Sequence, residues 1–255
     1  MRKKTLPNFI EGVRNCNPDA PWDPSLLLGK DDKLKVFYAP FEHINTQAKV
    51  AICGITPGIT QACEALDIAK TGLLVGSEIS DIQSSAKQAA SFKGFRKPLT
   101  QMLDLIGLNN KLDIESCDSL FGKNSNMVHY TSAIRYPTLL ANGSGYNGTP
   151  RVNKNLILKQ FLELYLAEEI ETLGSECLWI PLGKGATDAL KYMVDIGILQ
   201  PQQLLSGLPH PSGANAERVA YFLGNKPKEK LSVKVNPAII DSAKSRLIEQ
   251  LQAGV

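Results

Sequence analysis

The feature that most constrains this chain is the spacing of four short apolar runs, residues 49–54, 127–133, 177–182 and 204–208, each flanked by a stretch of helical periodicity. A run that is apolar at nearly every position buries both faces of a strand, and helical crossovers between such runs set the strands parallel. The pattern predicts an α/β fold, a three-layer αβα sandwich around a central four-stranded parallel sheet. Helices are expected over residues 98–108, 153–173, 186–194 and 237–252, with a short one near 9–13. In the second of these, Phe161, Leu162, Tyr165 and Leu166 recur near helical spacing.

At 255 residues with 43% apolar and 21% charged side chains, one domain over 1–255 is the simplest organisation. Pro7, Pro18, Pro21, Pro24 and Pro40 interrupt the first segment, so residues 1–45 read as an N-terminal extension wrapping the domain. Glycines, asparagines and Pro150 make residues 142–150 an exposed loop, expected to move over the site. No run approaches the roughly 20 apolar residues that cross a bilayer. The opening Met1-Arg2-Lys3-Lys4 leads into no secretory core, which gives a cytoplasmic expectation. Five scattered cysteines form no metal or disulfide pattern, and a net charge of +3 neither selects nor opposes a polyanionic partner.

In a parallel sheet, ligands collect beyond the carboxyl ends of the strands, so the residues after each run are the candidates. The first run ends in Gly54-Ile55-Thr56-Pro57-Gly58, where glycines permit close backbone approach and Pro57 stiffens the turn presenting Thr56. The last is followed by Pro209-His210-Pro211-Ser212-Gly213-Ala214-Asn215. Of the three histidines, His43, His129 and His210, only His210 sits in a loop restrained by prolines on both sides. Gly183-Lys184-Gly185 lacks phosphate-loop spacing and reads as a strand-to-helix turn.

These two turns carry a family resemblance. GITPG after a strand and LPHPSGAN after a late strand resemble motifs one and two of the uracil-DNA glycosylase superfamily, closest to its mismatch-specific and single-strand-selective branches. Phe92-Lys93-Gly94 is similar to the family segment whose phenylalanine stacks on an extruded base, and residues 127–135 to the strand that reads the base edge. The resemblance runs from about residue 49 to 224 in the family's order.

It implies a monofunctional DNA glycosylase that flips out uracil or another damaged or modified base, hydrolyses it from DNA and leaves an abasic site, with no cofactor and no metal. His210 would hydrogen-bond the departing base, and Thr56 stands where the family carries a carboxylate or amide that aligns the attacking water. Gly54, Ile55, Pro57, Gly58, Phe92, Ser132 and Ser212 would form the base pocket, with Ser132 in place of an asparagine; in the other register Tyr130 takes that position. Lys93, Arg96 and Lys97, and Pro211, Gly213, Ala214, Asn215 and Arg218 around motif two, would contact DNA. Arg135, Arg151, Lys154 and Lys184 would extend a phosphate-gripping rim.

Ala214 replaces the bulky wedge of the mismatch-specific branch, which favours single-stranded, mispaired or modified-base DNA as partner. A monomer, nucleoid-associated when bound to DNA, is expected. Thr56 also leaves open a protein of the same fold that binds or senses a base with little or no turnover, and, since fold resemblance does not fix substrate, an enzyme acting on a free nucleoside or other small molecule is a third reading.

Overall fold

The computed structural model describes residues 2–89 and 92–253, without the side chains of Ala89 and Lys93. A short helix α1 (Ile10–Asn15) precedes a hairpin of β1 (Leu27–Lys30) and β2 (Leu34–Phe37). Strand β3 (Val50–Gly54) is followed by helices α2 (Ile59–Val75), α3 (Ile79–Ala89), α4 (Arg96–Leu105) and α5 (Leu108–Lys111). Then come β4 (Val128–Ser132) and β5 (Thr138–Leu140), after which α6 (Leu156–Phe161) passes through a π turn at Leu162–Leu166 into α7 (Ala167–Leu173). Strand β6 (Leu178–Pro181) and helices α8 (Gly183–Asp195), α9 (Ala216–Phe222) and α10 (Pro237–Gln252) follow. Among the described residues no helix is long and apolar enough to cross a membrane.

The first three predicted runs form a parallel sheet of order β4-β3-β6, with Gly54 level with Ser132 and Val50 with Leu178. Strand β3 is buried at every position and sits in the middle. Its side chains alternate between faces, so Ala51 and Cys53 join one apolar cluster and Val50 and Ile52 another. The first cluster takes Leu66 of α2, Phe161 of α6 and Leu190 of α8; the second takes Leu99 and Leu103 of α4, Phe222 of α9 and Leu247 of α10. Helices thus cover both faces of a mixed α/β domain.

The sheet has three strands rather than the expected four. Residues 204–208 begin as a fourth, with Leu205 N–H donating to the Trp179 carbonyl at 2.9 Å and a single bridge between Trp179 and Leu204. Gly207 then turns to φ +129°, and a Cβ there would lie 2.7 Å from that of Ala243. Close passage of α10 fixes this geometry, so the segment leaves the sheet after one bridge and delivers the 209–212 turn as coil.

A second, antiparallel sheet of order β1-β2-β5 was not read from the sequence. Its first two strands come from residues 1–45, which the sequence presents as a wrapping extension. Asp31 closes the hairpin by accepting from the N–H groups of Lys33 and Leu34 at 2.8 and 2.9 Å. The 142–150 loop starts by folding back on β5: Tyr146 N–H donates to the Thr138 carbonyl at 2.9 Å, and the Tyr146 ring is buried. That half of the loop is anchored.

Candidate functional site

The carboxyl ends of β3 and β4 and the 209–212 turn open onto one cleft of about 530 Å³. Its wall includes Gly54, Ile55, Thr56 and Gly58 from the first turn, Ser132 from the end of β4, and His210 from the last turn. Phe92 and Phe95 close the opposite side. The two motifs, distant in sequence, therefore meet across one space.

His210 is half-buried and held on three sides. Its ring meets Phe95 edge to face at 5.5 Å, and its Nδ1 accepts from Ser212 N–H at 3.2 Å. Acceptance at Nδ1 leaves the proton on Nε2, so that nitrogen is the ring's donor. Burial lowers the His210 pKa below its ordinary value, which keeps the ring neutral near pH 7. Gly183, at φ +82°, opens α8 beside it, where a Cβ would stand 3.3 Å from His210 Cβ and Cδ2. The turn read from Gly183-Lys184-Gly185 is thus the surface against which the histidine packs.

Thr56 donates its hydroxyl to the Tyr136 carbonyl at 2.9 Å. Its oxygen can still accept a hydrogen bond from the cleft, but its own proton is committed. The carboxylate on this wall is Glu64, which with Thr60 and Gln61 lines the cleft from one face of α2. This face is not among the residues the sequence singles out; the i, i+4 spacing of Thr60 and Glu64 behind the first turn is the available signal.

Phe92 adopts φ +35°, unusual for a residue with a side chain, and its ring lies 3.5 Å from where a Gly54 Cβ would be. Tyr130 supports it edge to face at 5.8 Å, stacks on Phe121 at 5.2 Å, and gives its hydroxyl to the Leu120 carbonyl at 2.9 Å. Of the two β4 candidates, Ser132 lines the cleft, while Tyr130 lines spaces behind it.

Other expected residues lie elsewhere. Pro57 is buried and borders a small void behind the cleft. Ser212, Asn215 and Arg218 form a local chain, Asn215 Nδ2 to Ser212 Oγ at 3.2 Å and Arg218 Nη1 to Asn215 Oδ1 at 3.3 Å, which braces the loop after His210. Pro211 is buried, whereas Gly213, Ala214 and Lys97 are exposed. The Arg96 guanidinium lies over the Phe121 ring at 4.8 Å and borders a second cavity of about 480 Å³. Lys184 pairs with Asp188 on the surface at 3.0 Å, and the Lys93 side chain lies outside the described residues.

Arg135, expected at the rim, is instead buried at 2% exposure. It donates through Nε to Glu169 at 2.7 Å and through Nη2 to the Tyr165 carbonyl at 2.9 Å. His129 Nε2 lies 3.1 Å from the other Glu169 oxygen. Lys87 Nζ donates to the Phe41 carbonyl at 2.7 Å and stands 3.9 Å from Glu169. Burial opposes the Glu169 charge, but Lys87 and Arg135 outweigh it and hold the carboxyl far below the usual range. Burial pushes His129 down to about 4 and Lys87 to about 8, so at neutral pH the histidine is uncharged and the lysine charged. Sequence reading assigned no role to Lys87, because α3 was not among the predicted helices.

Comparison with curated proteins finds one from Bacillus subtilis, described as the uncharacterized protein YoxB, that is 35% identical over 252 residues, spanning 95% of this chain and 97% of the relative. No family model matches the chain, and no solved structure matches it significantly.

Proposed function

We propose that this chain, which belongs to the same family as Bacillus subtilis YoxB, is a monofunctional DNA glycosylase that hydrolyses the bond between an extruded base and its sugar. The observation that carries this reading is the shared cleft: Thr56, Ser132, Phe92 and His210, the residues the motif resemblance singles out, line the same 530 Å³ space. That volume suits a flipped nucleobase.

In this reading the base stacks on Phe92 and the neutral His210 donates from Nε2 to a base carbonyl. As the N-glycosidic bond breaks, its electron pair passes into the base and the sugar becomes an oxocarbenium ion. Water adds to the anomeric carbon and gives up its proton. Thr56, whose hydroxyl is already donating, accepts a hydrogen bond from that water; Glu64 is the carboxylate of this wall and takes the proton. The exposed Ala214 is too small to fill a vacated stack, which favours single-stranded or mispaired DNA, where extrusion costs less.

The test is a panel of single-stranded and duplex oligonucleotides carrying uracil, mispaired thymine, hypoxanthine, xanthine and enlarged pyrimidines, scored for alkali-labile sites. Release of at least one base supports the reading. Tight, salt-dependent binding with no release from any substrate would instead identify a base-binding protein, the outcome toward which Thr56 in motif one points.

A further inference from the structure

Resting on that reading, we infer that a small recess bordering the cleft is a subsite for one exocyclic oxygen of the extruded base, with the Lys87 ammonium as its cationic donor. Behind Phe92 and Ser132 lies a void of about 20 Å³, room for a single oxygen-sized group. It shares Gln61, Phe92 and Ser132 with the cleft, and Lys87 and Thr131 complete the part that matters here.

The chemistry of that recess is one-sided. Lys87 is 7% exposed, yet its ammonium has three N–H donors and the Phe41 carbonyl takes one. Glu169 balances this charge from 3.9 Å, but its oxygens are hydrogen-bonded by Arg135 at 2.7 Å and His129 at 3.1 Å, so it takes none of the Lys87 N–H groups at hydrogen-bond distance. The Thr131 hydroxyl, on a residue 5% exposed, has no hydrogen-bond partner among the described residues. A buried cation and an orphaned hydroxyl accommodate an acceptor oxygen; an exocyclic amino group would turn its own N–H toward the ammonium.

The assignment gives the site a substrate class, bases with an oxo group at their deep edge. It also gives Lys87 a part in the reaction. When the glycosidic electron pair enters the ring, negative charge develops on the exocyclic oxygens, and a fixed ammonium there stabilises it while keeping its own protons.

The experiment is equilibrium binding of free hypoxanthine, adenine and uracil to the full chain by calorimetry, for the wild type, Lys87→Met and Thr131→Val. Hypoxanthine and adenine differ by an oxo against an amino group at C6 and, with it, by the proton on N1, so the Lys87→Met and Thr131→Val variants assign the preference to the exocyclic group. Wild type is expected to bind uracil and hypoxanthine, to bind adenine at least about tenfold more weakly, and to lose about tenfold for the oxo bases in either variant. Thr131→Val removes an unpartnered buried hydroxyl, so it is expected to melt at or above the wild-type temperature while binding less, a combination that a packing role does not produce.

Equal affinity for hypoxanthine and adenine, undiminished binding in both variants, or no base bound by the wild type overturns the subsite. Base release from oligonucleotides, followed in parallel, separates the two ideas. Release that Lys87→Met leaves unchanged removes the subsite alone; Lys87-dependent binding without release removes the glycosylase reading and keeps the subsite.

Discussion

At the scale of single residues, the proposed reaction divides its labour by hydrogen-bond capacity. His210 has one donor, fixed on Nε2 by the bond that Nδ1 accepts; Thr56 has only acceptor capacity left; Glu64 is the carboxylate that lines the same wall. His210→Ala is therefore expected to lower turnover by about 10² to 10³, the size of one lost charge-stabilising donor, with little change in oligonucleotide affinity. Glu64→Gln should cost a comparable factor in single-turnover rate and Thr56→Ala much less. A larger loss for Thr56→Ala than for Glu64→Gln would return the water-activating role to motif one. His210 and Thr56 were legible because glycine and proline mark strand-end turns in sequence; Glu64 was not, because a carboxylate on a helix face looks like any solvated charge until the fold turns that face toward a cleft.

Elements show where propensity sufficed and where packing overruled it. The 237–252 helix appears as predicted, with Pro237 at its first position and the Asn236 side chain accepting from Ile239 N–H at 3.4 Å. The 153–173 stretch holds as continuous helix from Leu156 onward, Asn155 capping it. The fourth strand failed because α10 approaches Gly207, a tertiary contact that no local pattern records. At the start of α8, Gly183→Ala is expected to cost about 1 to 3 kcal/mol in stability, since the residue is at positive φ and its new Cβ meets His210. The same variant should also lower base release, because His210 must shift. Denaturant unfolding and turnover measured together check this, and an unchanged rate would show that His210 tolerates displacement.

Over the whole molecule, Glu169 ties together α3, β4, the segment after β4 and α7 through Lys87, His129 and Arg135. Glu169→Gln is expected to destabilise the fold by about 3 kcal/mol, because it leaves the buried Lys87 without a counter-charge and Arg135 with Glu168 alone at 3.2 Å. The pH dependence follows from two depressed folded pKa values. Between the ordinary histidine value of 6.5 and about 4, the unfolded chain binds a proton that folded His129 does not, so stability falls as pH falls through that window. The His129 contribution is on the order of 3 kcal/mol, and Glu169 adds a loss in the same direction below the ordinary carboxylate range. Thermal melts from pH 7 to 4 should show this decline; a flat profile would mean that the cluster titrates alike in both states.

What the sequence determined by itself was the periodic part: three parallel strands, most helices, and the two punctuated turns at the strand ends, since burial of both strand faces and backbone restraint are written locally. Only the tertiary structure decided that 204–208 stops short of a strand, that the first segment builds a second sheet, and that Arg135 turns inward to Glu169 rather than outward as a rim. Those outcomes depend on which surfaces meet, and a buried charge is stable only where distant elements bring its partners within hydrogen-bond reach.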